Sequence, residues 1–483
     1  MDIEIKTPIK MKPRVEKIGE GTYGKVYQYS LHNKIWVEKI TDFYDSHNQQ
    51  LCISNLTEMC YYKLVSGVSK VNDLKMDILS YKKSKYRMNI PKYDYCLTKF
   101  IKNNTIEVRK SLFLKVFEQL SRNLIQLHDI GISHGDLKPN NIVINADGEL
   151  SIIDYGTFMY ECLNNNISPG CTYEYQAPEL FREYFPVETE IFYHGPFNDV
   201  WSFGLIVLEY LIGYRVNYLE EKHDKFRIKI IGQYITNNKI KIKKILRETN
   251  LFSSSEIDYY YSIIKSCLVI DHSKRITMRK WYDKMFNVKL NTFTIKEKVE
   301  IYNNPIRDNE CDELDEKNRE ILTIYTKEKI DLTIKQLNDT LLTLSNKNEI
   351  MKYIPGAIKL FKRYIQQKYS CINLYLSLVY CLYIYSALFA DEIIYKDFIK
   401  NIKIDNKTLY TNIIDIITTL QFDIFRNDVM IMTFRHFRKN NRFVSKDIIL
   451  YAYDVGIKYH MFTDEEQFGS VLKYINNLYS VKL

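Results

Sequence analysis

The spacing of hydrophobic and polar positions divides the chain into two parts. From about residue 13 to 150, short runs of β-branched and aromatic residues alternate with apolar-periodic stretches such as Ser111 to His128, which predicts a mixed α and β region. After Trp281 the apolar residues recur three and four positions apart, as in 321–344, 355–369 and 410–422. That spacing predicts helices throughout. The chain therefore contains two different kinds of domain.

An acidic run lies between the two parts. Residues 308–316 (DNECDELDE) hold six acids in nine positions, which is typical of a solvated linker or a helix start. A length of 483 residues also suggests two or three domains. We predict a first domain over residues 13–288, a linker and helical connector over 289–345, and an all-helical domain over 346–483.

A stretch without charged residues lies within the helical part. The 22 positions between Lys368 and Asp391 contain no charge, which meets the length criterion for a membrane-crossing helix. The stretch also carries Asn373, three serines and five tyrosines, all less favourable in hydrocarbon than leucine. A helix buried on every side of an all-α domain has the same pattern. We favour the buried helix and expect no membrane insertion.

Composition and charge indicate the general class of protein and say little about its specific function. Hydrophobic residues make up 46% and the net charge is +9, which is typical of a folded soluble protein and does not indicate a specific nucleic-acid partner. The nine cysteines lack the spacing of metal ligands, and the first twenty residues lack the apolar core of a signal peptide. We therefore expect an intracellular, soluble, cytoplasmic or nuclear protein.

A glycine-rich segment is the first candidate for chemistry. The sequence IGEGTYGKV places Gly19, Gly21 and Gly24 in the spacing GxGxxGxV, with Val26 at its end. Such glycines let backbone N–H groups approach phosphate oxygens, and Val26 could cover a purine ring. An ordinary glycine hairpin would have the same pattern.

Two charged residues follow in regular elements. Lys39 lies in the β-branched run IWVEKI, and Glu58 lies nineteen residues later in a helical run. The lysine could bind phosphate oxygens and the glutamate could hold its ammonium through an ion pair. Taken singly, each could instead be a solvated surface charge.

The segment ISHGDLKPNNIVIN carries the strongest signal. It contains Asp136, Lys138 and Asn141, and Asp154 follows eighteen residues after Asp136 in LSIIDYG. Phosphoryl transfer needs a carboxylate to orient a hydroxyl, a cation near the moving phosphate, and oxygen ligands for Mg²⁺. These four residues supply those groups in that order.

These motifs together resemble the eukaryotic protein kinase family over about residues 13 to 288. The resemblance implies an α+β bilobal kinase fold that uses ATP and Mg²⁺ to phosphorylate Ser and Thr hydroxyls of protein substrates. In this chain Gly19, Gly21, Gly24 and Val26 would cover the nucleotide. Lys39 would hold its phosphates and Glu58 would brace Lys39. Asp136 would be the base, and Asn141 and Asp154 would bind magnesium.

Further segments resemble supporting motifs of the same family. CTYEYQAPE, at 171–179, is similar to the end of an activation segment, and Asp199 in NDVWSFG would brace the catalytic loop. Arg275 would pair with Glu179. Lys138, two residues after Asp136, and Thr172 resemble the serine/threonine branch of the family.

The chain departs from the family pattern at several positions. Gly135 stands where the family usually has Arg, so we expect that an activation-loop phosphate does not order this chain. Tyr155 replaces the usual Phe after Asp154, and 17 extra residues (FREYFPVETEIFYHGPF) lie between Glu179 and Asp199. We place Thr98 at the back of the adenine pocket.

The helical part contains PGAIKLFKRYIQQKY at 355–369, the uncharged helix at 372–390 and LYTNIIDIITTLQFDIFRNDVMIMTF at 409–434. Together these segments resemble successive helices of a cyclin box over residues 355–434, so the whole chain would be a kinase fold followed by an all-α cyclin-like helical domain. A central helix surrounded by four others explains the charge-free run. Cyclins contact their kinase partly through a Lys and a Glu. Here Leu388 lies where the Lys is expected, and Ile413 or Asp415 lies near the expected Glu. An unrelated helical domain would also fit the spacing.

Three other functions remain open from the sequence. A pseudokinase scaffold would bind partners without catalysis, a membrane-anchored kinase would cross at 372–390, and a related enzyme would phosphorylate a small molecule or lipid. The forty tyrosines and the excess of Ile, Lys and Asn are typical of AT-rich coding, as in some protists and large DNA viruses. We favour a serine/threonine protein kinase regulated in cis by its own cyclin-like domain.

Overall fold

The computed structural model describes most of the first domain and the main helices of the second. The described residues are 16–21, 24–31, 34–42, 55, 58–60, 85–129, 132–155, 159–160, 172–178, 195–214, 238–287, 327–342, 353–367, 373–387, 404–420, 451–452, 455 and 464–480. The acidic run at 308–316, most of the extra sequence after Glu179, and Leu388 lie outside them.

A four-stranded antiparallel sheet opens the fold. Its strands are β1 (Glu16–Gly21), β2 (Gly24–Leu31), β3 (Lys34–Asp42) and β4 (Lys85–Pro91), in that spatial order. The register shifts between Lys17 and Gly19, and beyond this bulge Gly21 pairs with Gly24 across the β1–β2 turn. In the next pair of strands Val26 lies opposite Lys39. The glycine segment is thus a hairpin that leads directly to the predicted lysine.

The predicted mixed α and β region continues as a helical layer with two small sheets. Its helices are α1 (Leu97–Asn103), α2 (Ile106–Asp129), α3 (Gly195–Ile212), α4 (Asn238–Glu248), α5 (Ser254–Cys267) and α6 (Met278–Phe286). The strands β5 (Tyr95–Cys96), β7 (Ile142–Ile144) and β8 (Leu150–Ile152) form one sheet, and β6 (Ile132–Ser133) pairs with β9 (Met159–Tyr160). The segments between these short strands carry the candidate site.

Helix α3 is the centre of this layer. Every residue from Asn198 to Ile212 is buried, which fits the nearly continuous apolar sequence WSFGLIVLEYLI. Gly204 lets α5 approach closely, since a Cβ there would lie 2.7 Å from Cβ of Cys267. Phe203 packs edge-on against both Phe117 of α2 and Trp281 of α6. Helix α3 therefore has a fixed position relative to the segments that it supports.

A buried arginine fixes the C-terminal end of α3. Arg109 of α2 donates to the carbonyl oxygen of Tyr210, and the Tyr210 hydroxyl donates back to the Arg109 carbonyl. The last carbonyls of a helix need such donors because no intrahelical N–H reaches them. Gly213, at φ +87°, then turns the chain away in a conformation that favours glycine. The guanidinium lies directly beside this glycine.

The second part is helical, as predicted, in the residues that the structure describes. Its helices are α7 (Lys327–Leu342), α8 (Ile354–Gln367), α9 (Leu374–Ala387), α10 (Asn406–Thr419) and α11 (Asp464–Ser480). Helix α9 packs against α7, α8 and α10, and its side chains from Ser377 to Leu382 are all buried. The charge-free run is therefore the central helix of a bundle. Among the described residues, no helix combines the length and the apolar character needed to cross a membrane.

Hydrogen bonds between side chains join the helices of this bundle. The Tyr364 hydroxyl on α8 donates to Asp415 Oδ2 on α10 at 2.7 Å, and Thr340 of α7 meets the Tyr375 hydroxyl of α9 at 3.1 Å. Asp415, one of two positions at which a cyclin-type acidic contact was expected, thus bonds within its own domain. In the structure Asp415 joins α8 to α10 within the bundle.

Gly356 provides a test of the packing between α8 and α9. A Cβ at this position would overlap the buried ring of Tyr385, whereas a Cβ at Gly469 of α11 would meet nothing within 4 Å. Gly356→Ala should therefore lower the stability of the bundle by about 1–3 kcal/mol. The matched Gly469→Ala should leave it unchanged or raise it by up to about 1 kcal/mol. Hydrogen exchange of peptides from residues 354–387, followed by mass spectrometry, measures the difference, and equal protection in both variants would contradict the packing.

Candidate active site

The first two predicted residues of the site form an ion pair. Lys39 Nζ lies 2.6 Å from Oε1 and 2.7 Å from Oε2 of Glu58, although nineteen residues separate them. Glu58 is 2% exposed and Lys39 is 16% exposed. Neither is the solvated surface charge that each could have been when taken singly. The pair joins the sheet to the helical residues 58–60.

Burial is the largest influence on the Glu58 carboxyl. It raises the pKa of Glu58 above the ordinary 4.5, and the charge and hydrogen bond of Lys39 oppose it without cancelling it. The negative charge of Asp154 raises this pKa further. Asp154 is thus close enough to interact electrostatically with Glu58. The structure therefore brings Lys39, Glu58 and Asp154, three of the predicted residues, close together.

Asp136 lies in the loop between β6 and a single 3₁₀ turn at Pro139–Asn141. Its Oδ1 accepts the backbone N–H of Thr172 at 2.7 Å, and its Oδ2 accepts from Lys138 Nζ at 2.6 Å. The Lys138 ammonium also donates to the Thr172 hydroxyl at 2.7 Å. Asn141 Nδ2 donates to the carbonyl oxygen of Asp136 at 3.0 Å. The four residues form one connected group in which the Asp136 carboxylate is held from two sides.

A fully buried carboxylate on α3 binds the backbone of the loop that carries Asp136. Asp199 of α3 is 0% exposed, and its two oxygens accept the backbone N–H groups of His134 at 2.8 Å and Gly135 at 3.1 Å. His128 Nε2 lies 2.9 Å from the same side chain. The predicted bracing of the catalytic loop by Asp199 is present in this geometry.

Gly135 has a backbone conformation that suits its residue type. Its φ is +83°, a region that costs residues with a Cβ about 1–2 kcal/mol. Its N–H donates to Asp199 and its carbonyl accepts from Asn198 at 3.2 Å, so both peptide groups are committed. Gly135, at a position where the family usually has Arg, therefore carries no cation and adopts its positive φ without the steric cost that a Cβ would add.

His134 connects the catalytic loop to the strand that leads to Asp154. The Asp136 N–H donates to His134 Nδ1 at 3.3 Å, and His134 Nε2 lies 3.0 Å from the Ile153 carbonyl. Since a carbonyl only accepts, this pattern requires the neutral tautomer with its proton on Nε2. The Ile153 N–H in turn donates to the Asn141 carbonyl at 2.9 Å. Ile153 is thus held on both sides.

Asp154 itself is conformationally strained. It is one of three non-glycine residues with positive φ in the described part of the chain, at +64°. Strain of this kind persists only where neighbouring contacts over-determine the backbone, and it is frequent at functional sites. Tyr155 follows with 3% exposure, its ring 5.2 Å from that of His134, and burial raises the pKa of its phenol. The Asp154 carboxylate is therefore positioned by its backbone.

Asn141 and Asp154 fit the chemistry expected of a magnesium site. Both offer oxygen ligands, and the contacts of the Asn141 side chain with Asp136 use its nitrogen, so the amide oxygen is the atom that could bind a metal ion. Within the described residues no cluster of three or more His, Cys, Asp or Glu could hold a metal by itself. Mg²⁺ commonly takes its remaining ligands from substrate phosphates and water.

The structure corrects the predicted position of Thr98. It lies in the first turn of α1, where its hydroxyl donates to Asn140 Oδ1 at 2.5 Å, and it therefore faces the catalytic-loop turn and not the back of a nucleotide pocket. The strand β4 ends at Pro91, and residues 92–94 connect it to β5. The assignment was wrong because a helix begins directly after Cys96.

Two contacts were missed by the sequence analysis. The Asp94 carboxylate accepts the Ala146 N–H at 2.9 Å, and the Asp94 N–H donates to Asn145 at 3.2 Å, which fixes the connection after β4 to the β7–β8 turn. The Tyr175 hydroxyl donates to Glu209 of α3. Glu209 is the sole acid in the apolar sequence of α3 after Asp199. That isolated charge was the one sequence feature that could have indicated the second contact.

The expected pairing of Arg275 with Glu179 cannot be followed, because Glu179 lies outside the described residues. Arg275 is 3% exposed and donates to the carbonyl oxygens of Phe197 at 2.7 Å and Val269 at 2.9 Å. Its guanidinium also lies over the Trp201 ring, 5.2 Å from the centroid. It fastens the start of α3 to the segment after α5.

Comparisons with known proteins agree with this geometry. The model of the protein kinase domain family matches residues 13–286, which is more than half of the chain. Helices α7 to α11 lie beyond the matched residues.

Three relatives illustrate the likeness. A probable serine/threonine-protein kinase of Dictyostelium discoideum is 28% identical over 207 residues, 41% of this chain and 39% of the relative. The CTD kinase subunit alpha of Schizosaccharomyces pombe is 25% identical over 203 residues, 41% of this chain and 33% of the relative. A putative serine/threonine-protein kinase of Acanthamoeba polyphaga mimivirus is 28% identical over 208 residues, 41% of this chain and 35% of the relative. The matched region is between a third and two fifths of each relative's length.

The raised pKa of Glu58 predicts an unusual response to acid. Burial in the folded state raises the pKa of Glu58 above 4.5. As the pH falls, Glu58 therefore loses the negative charge that pairs with Lys39 at a higher pH than an ordinary glutamate would. If Lys39 binds nucleotide phosphates, magnesium-nucleotide affinity should fall in this window in the wild type. Glu58→Gln should bind magnesium-nucleotide weakly at neutral pH, and its affinity should change little as the pH falls through the same window.

A control for this titration is Glu256, whose pKa is lowered to about 2 by hydrogen bonds from Lys110 and Ser253. Because it stays ionised throughout the window, Glu256→Gln should keep the wild-type profile. Fluorescence of a bound nucleotide analogue measures the nucleotide affinity of both variants and of the wild type at each pH. Identical profiles for wild type and Glu58→Gln would contradict the role of the pair.

Proposed function

Since the chain belongs to the protein kinase family, we propose that it is an ATP-dependent serine/threonine protein kinase, which transfers the γ-phosphoryl group of ATP to Ser or Thr hydroxyls of protein substrates. The observation that carries this proposal is the Asp136 carboxylate held between Lys138 and the Thr172 N–H at 2.6 and 2.7 Å. A base fixed in this way can accept the proton of a hydroxyl placed beside it.

The roles of the other residues follow from their chemistry. Lys138 is a cation beside the base and can stabilise charge on the phosphoryl group as it moves. Lys39, held by Glu58, offers its ammonium to the other phosphates of ATP. Asn141 and Asp154 supply oxygens for Mg²⁺, which neutralises phosphate charge when it is bound. The glycines at 19, 21 and 24 and Val26 cover the nucleotide from the sheet.

The hydrogen bond from Lys138 to the Thr172 hydroxyl supports the choice of Ser and Thr substrates. It ties the end of the activation segment to the base at 2.7 Å. The Thr172 N–H on Asp136 adds a second tie, so the surface that presents a peptide is fixed relative to the reacting atoms. An arrangement built around a peptide favours protein substrates over a small molecule or lipid.

Replacing the base tests the proposed catalysis. Asp136→Asn keeps the shape of the side chain but removes its ability to take a proton, so the rate constant for phosphoryl transfer should fall by about 10²–10⁴-fold with magnesium-ATP binding retained. Asp154→Asn should instead weaken the magnesium dependence of ATP binding. Transfer of labelled γ-phosphate to a mixed protein substrate and calorimetric ATP titration give the two readouts.

The control for both variants is Asp258→Asn on α5, whose side chain is 66% exposed and pairs with Lys243. It should transfer phosphate at the wild-type rate. If Asp136→Asn and the wild type gave equal signals, the pseudokinase scaffold that binds partners without catalysis would be the better interpretation.

We further propose that the helical domain is cyclin-like and acts on the kinase domain of the same chain. The support is the arrangement of α9, which is surrounded by α7, α8 and α10 as the central helix of such a box would be. The Schizosaccharomyces pombe relative is named as a kinase subunit. A domain fused to its kinase has a high effective concentration, so it can replace a separate partner even when its contacts are weak.

The effect of the helical domain is measurable in two ways. A chain that ends near residue 300 should phosphorylate at least about tenfold more slowly than the full chain, which corresponds to a coupling of about 1.4 kcal/mol. Gly356→Ala in the full chain should lower the rate in the same direction, since it loosens the bundle without removing it. Unchanged rates in both proteins, each shown to be folded by circular dichroism, would reject an activating role.

A further inference from the structure

Helix α4 carries a high density of positive charge that the proposed catalysis does not use. Its eleven residues (NKIKIKKILRE) contain five cations and one acid, which gives a formal charge of +4. Lys244 and Arg247 are exposed, and the side chain of Lys243 is 31% exposed. An exposed basic face is by itself only a solvated surface, so the arrangement of its charges decides what it can bind.

A tyrosine of the neighbouring helix α5 brings two cations together. Lys243 Nζ of α4 lies 4.9 Å from the centroid of the Tyr261 ring, and Lys265 Nζ of α5 lies 5.3 Å from the same centroid. The two ammonium groups can therefore be no farther apart than the sum of these distances. A ring face attracts a cation, but it carries no net charge that would offset the repulsion between two of them. A carboxylate within reach of both ammonium groups would supply that charge.

Two acids neutralise part of this charge. Asp258 of α5 pairs with Lys243, and Glu248 lies 3.6 Å from Lys244. The hydrogen bond and the charge of Lys243 lower the pKa of Asp258, and the charge of Arg247 contributes in the same direction. Asp258 is therefore ionised at neutral pH.

The remaining cations leave an excess of positive charge where α4 and α5 meet. Among the described residues, Arg247 and Lys265 form no ion pair. Four cations thus face two acids. A partner with several carboxylates would complete the pairing. The members of the basic surface of α4 and α5, as we name it, are Lys243, Lys244, Arg247, Tyr261 and Lys265.

The chain itself contains a segment of the opposite charge. The run at 308–316, which lies outside the described residues, carries six acids and no cation, and it follows Asn287 at the end of α6 by 21 positions. The Tyr259 hydroxyl donates to Met285 Sδ at 3.3 Å, so the chain leaves α6 beside α5. An extended chain spans up to about 3.5 Å per residue, so this connection can reach α4 and α5.

We propose that the basic surface of α4 and α5 binds the acidic segment 308–316 of the same chain and so anchors the connection between the two domains. Asp308, Glu310 and Asp312 occupy alternate positions, and alternate side chains of an extended segment project to one side, about 7 Å apart. Exposed ion pairs are individually weak. A tether within one chain offsets this weakness, because it supplies an effective concentration on the order of mM.

Zero-length cross-linking of the full chain tests the contact directly. A carbodiimide joins an ammonium to a carboxylate that touches it, so mass spectrometry should find links from Lys243, Lys244 or Lys265 to residues 308–316. Their yield should fall at least about threefold in molar salt, which screens exposed charges. Lys102, exposed on α1, should give no such link. Mixing isotope-labelled and unlabelled chains separates links within one chain from links between two.

A binding experiment tests the same contact from the side of the acidic segment. The neutral-linker chain is the full chain with the substitutions Asp308→Asn, Glu310→Gln, Asp312→Asn, Glu313→Gln, Asp315→Asn and Glu316→Gln. A fluorescent peptide of residues 308–316, followed by anisotropy, should bind this chain at least about threefold more tightly than the wild type, because the tethered segment competes with the peptide only in the wild type. The first domain is identical in the two proteins, so its folding does not confound the result.

Variants of the basic surface are made in the neutral-linker chain. Arg247→Glu with Lys265→Glu should weaken peptide binding at least about tenfold, and Arg247→Gln with Lys265→Gln should weaken it less. Asp258→Asn should strengthen binding by about twofold, because it removes a carboxylate that competes for Lys243. Lys102→Glu is the control and should leave the affinity unchanged.

Three results would overturn the proposal. The first is equal peptide affinity of the wild type and the neutral-linker chain, and the second is an affinity that survives Arg247→Glu with Lys265→Glu. The third is cross-links found only between labelled and unlabelled chains, which would assign the surface to a second copy. A DNA duplex that binds the wild type and the neutral-linker chain equally, and displaces the peptide, would likewise assign the surface to phosphates. None of these measurements depends on phosphoryl transfer.

Discussion

The organisation of the candidate site depends on one buried carboxylate. Asp199 is 0% exposed in the middle of an apolar helix, and its charge is satisfied by the N–H groups of His134 and Gly135 together with His128. A buried charge of this kind has few alternative partners, so the backbone that satisfies it is held in one conformation. Asp136 follows directly after that backbone. Its position is therefore set from the core of the helical layer.

The same loop also controls the segment that carries Asp154. His134 reaches the Ile153 carbonyl and Asn141 accepts the Ile153 N–H, so that two separate contacts join the loop to this strand. These contacts hold Asp154 at a positive φ that it would not adopt alone. The proposed base and the proposed magnesium ligand are thus parts of one rigid unit. The Lys39–Glu58 pair belongs to a different layer, and it meets this unit through the charge of Asp154.

Sequence reasoning identified the residues of this unit because each combines an unusual residue type with a fixed spacing. Lys39 on an apolar strand and Glu58 nineteen positions later were found to be paired, and the charge-free run was found to be the central helix α9. Thr98 was misplaced because its position depends on where α1 begins, which local pattern determines poorly. Glu209 was missed because a single acid in an apolar helix gives no periodic signal. Its importance arises only when distant segments fold around it, as do the hydrogen bonds of Asp94.

The end of the activation segment is held by side chains of a single helix. Tyr175 is held by Glu209 through its hydroxyl and by Ser202 through its carbonyl at 2.7 Å, and the Ala177 N–H donates to Asn198 at 3.0 Å. All three partners lie on α3, the helix that also carries Asp199. These contacts are buried, so they hold residues 175–177 against the helix. The same helix therefore positions both the loop that carries Asp136 and the end of this segment.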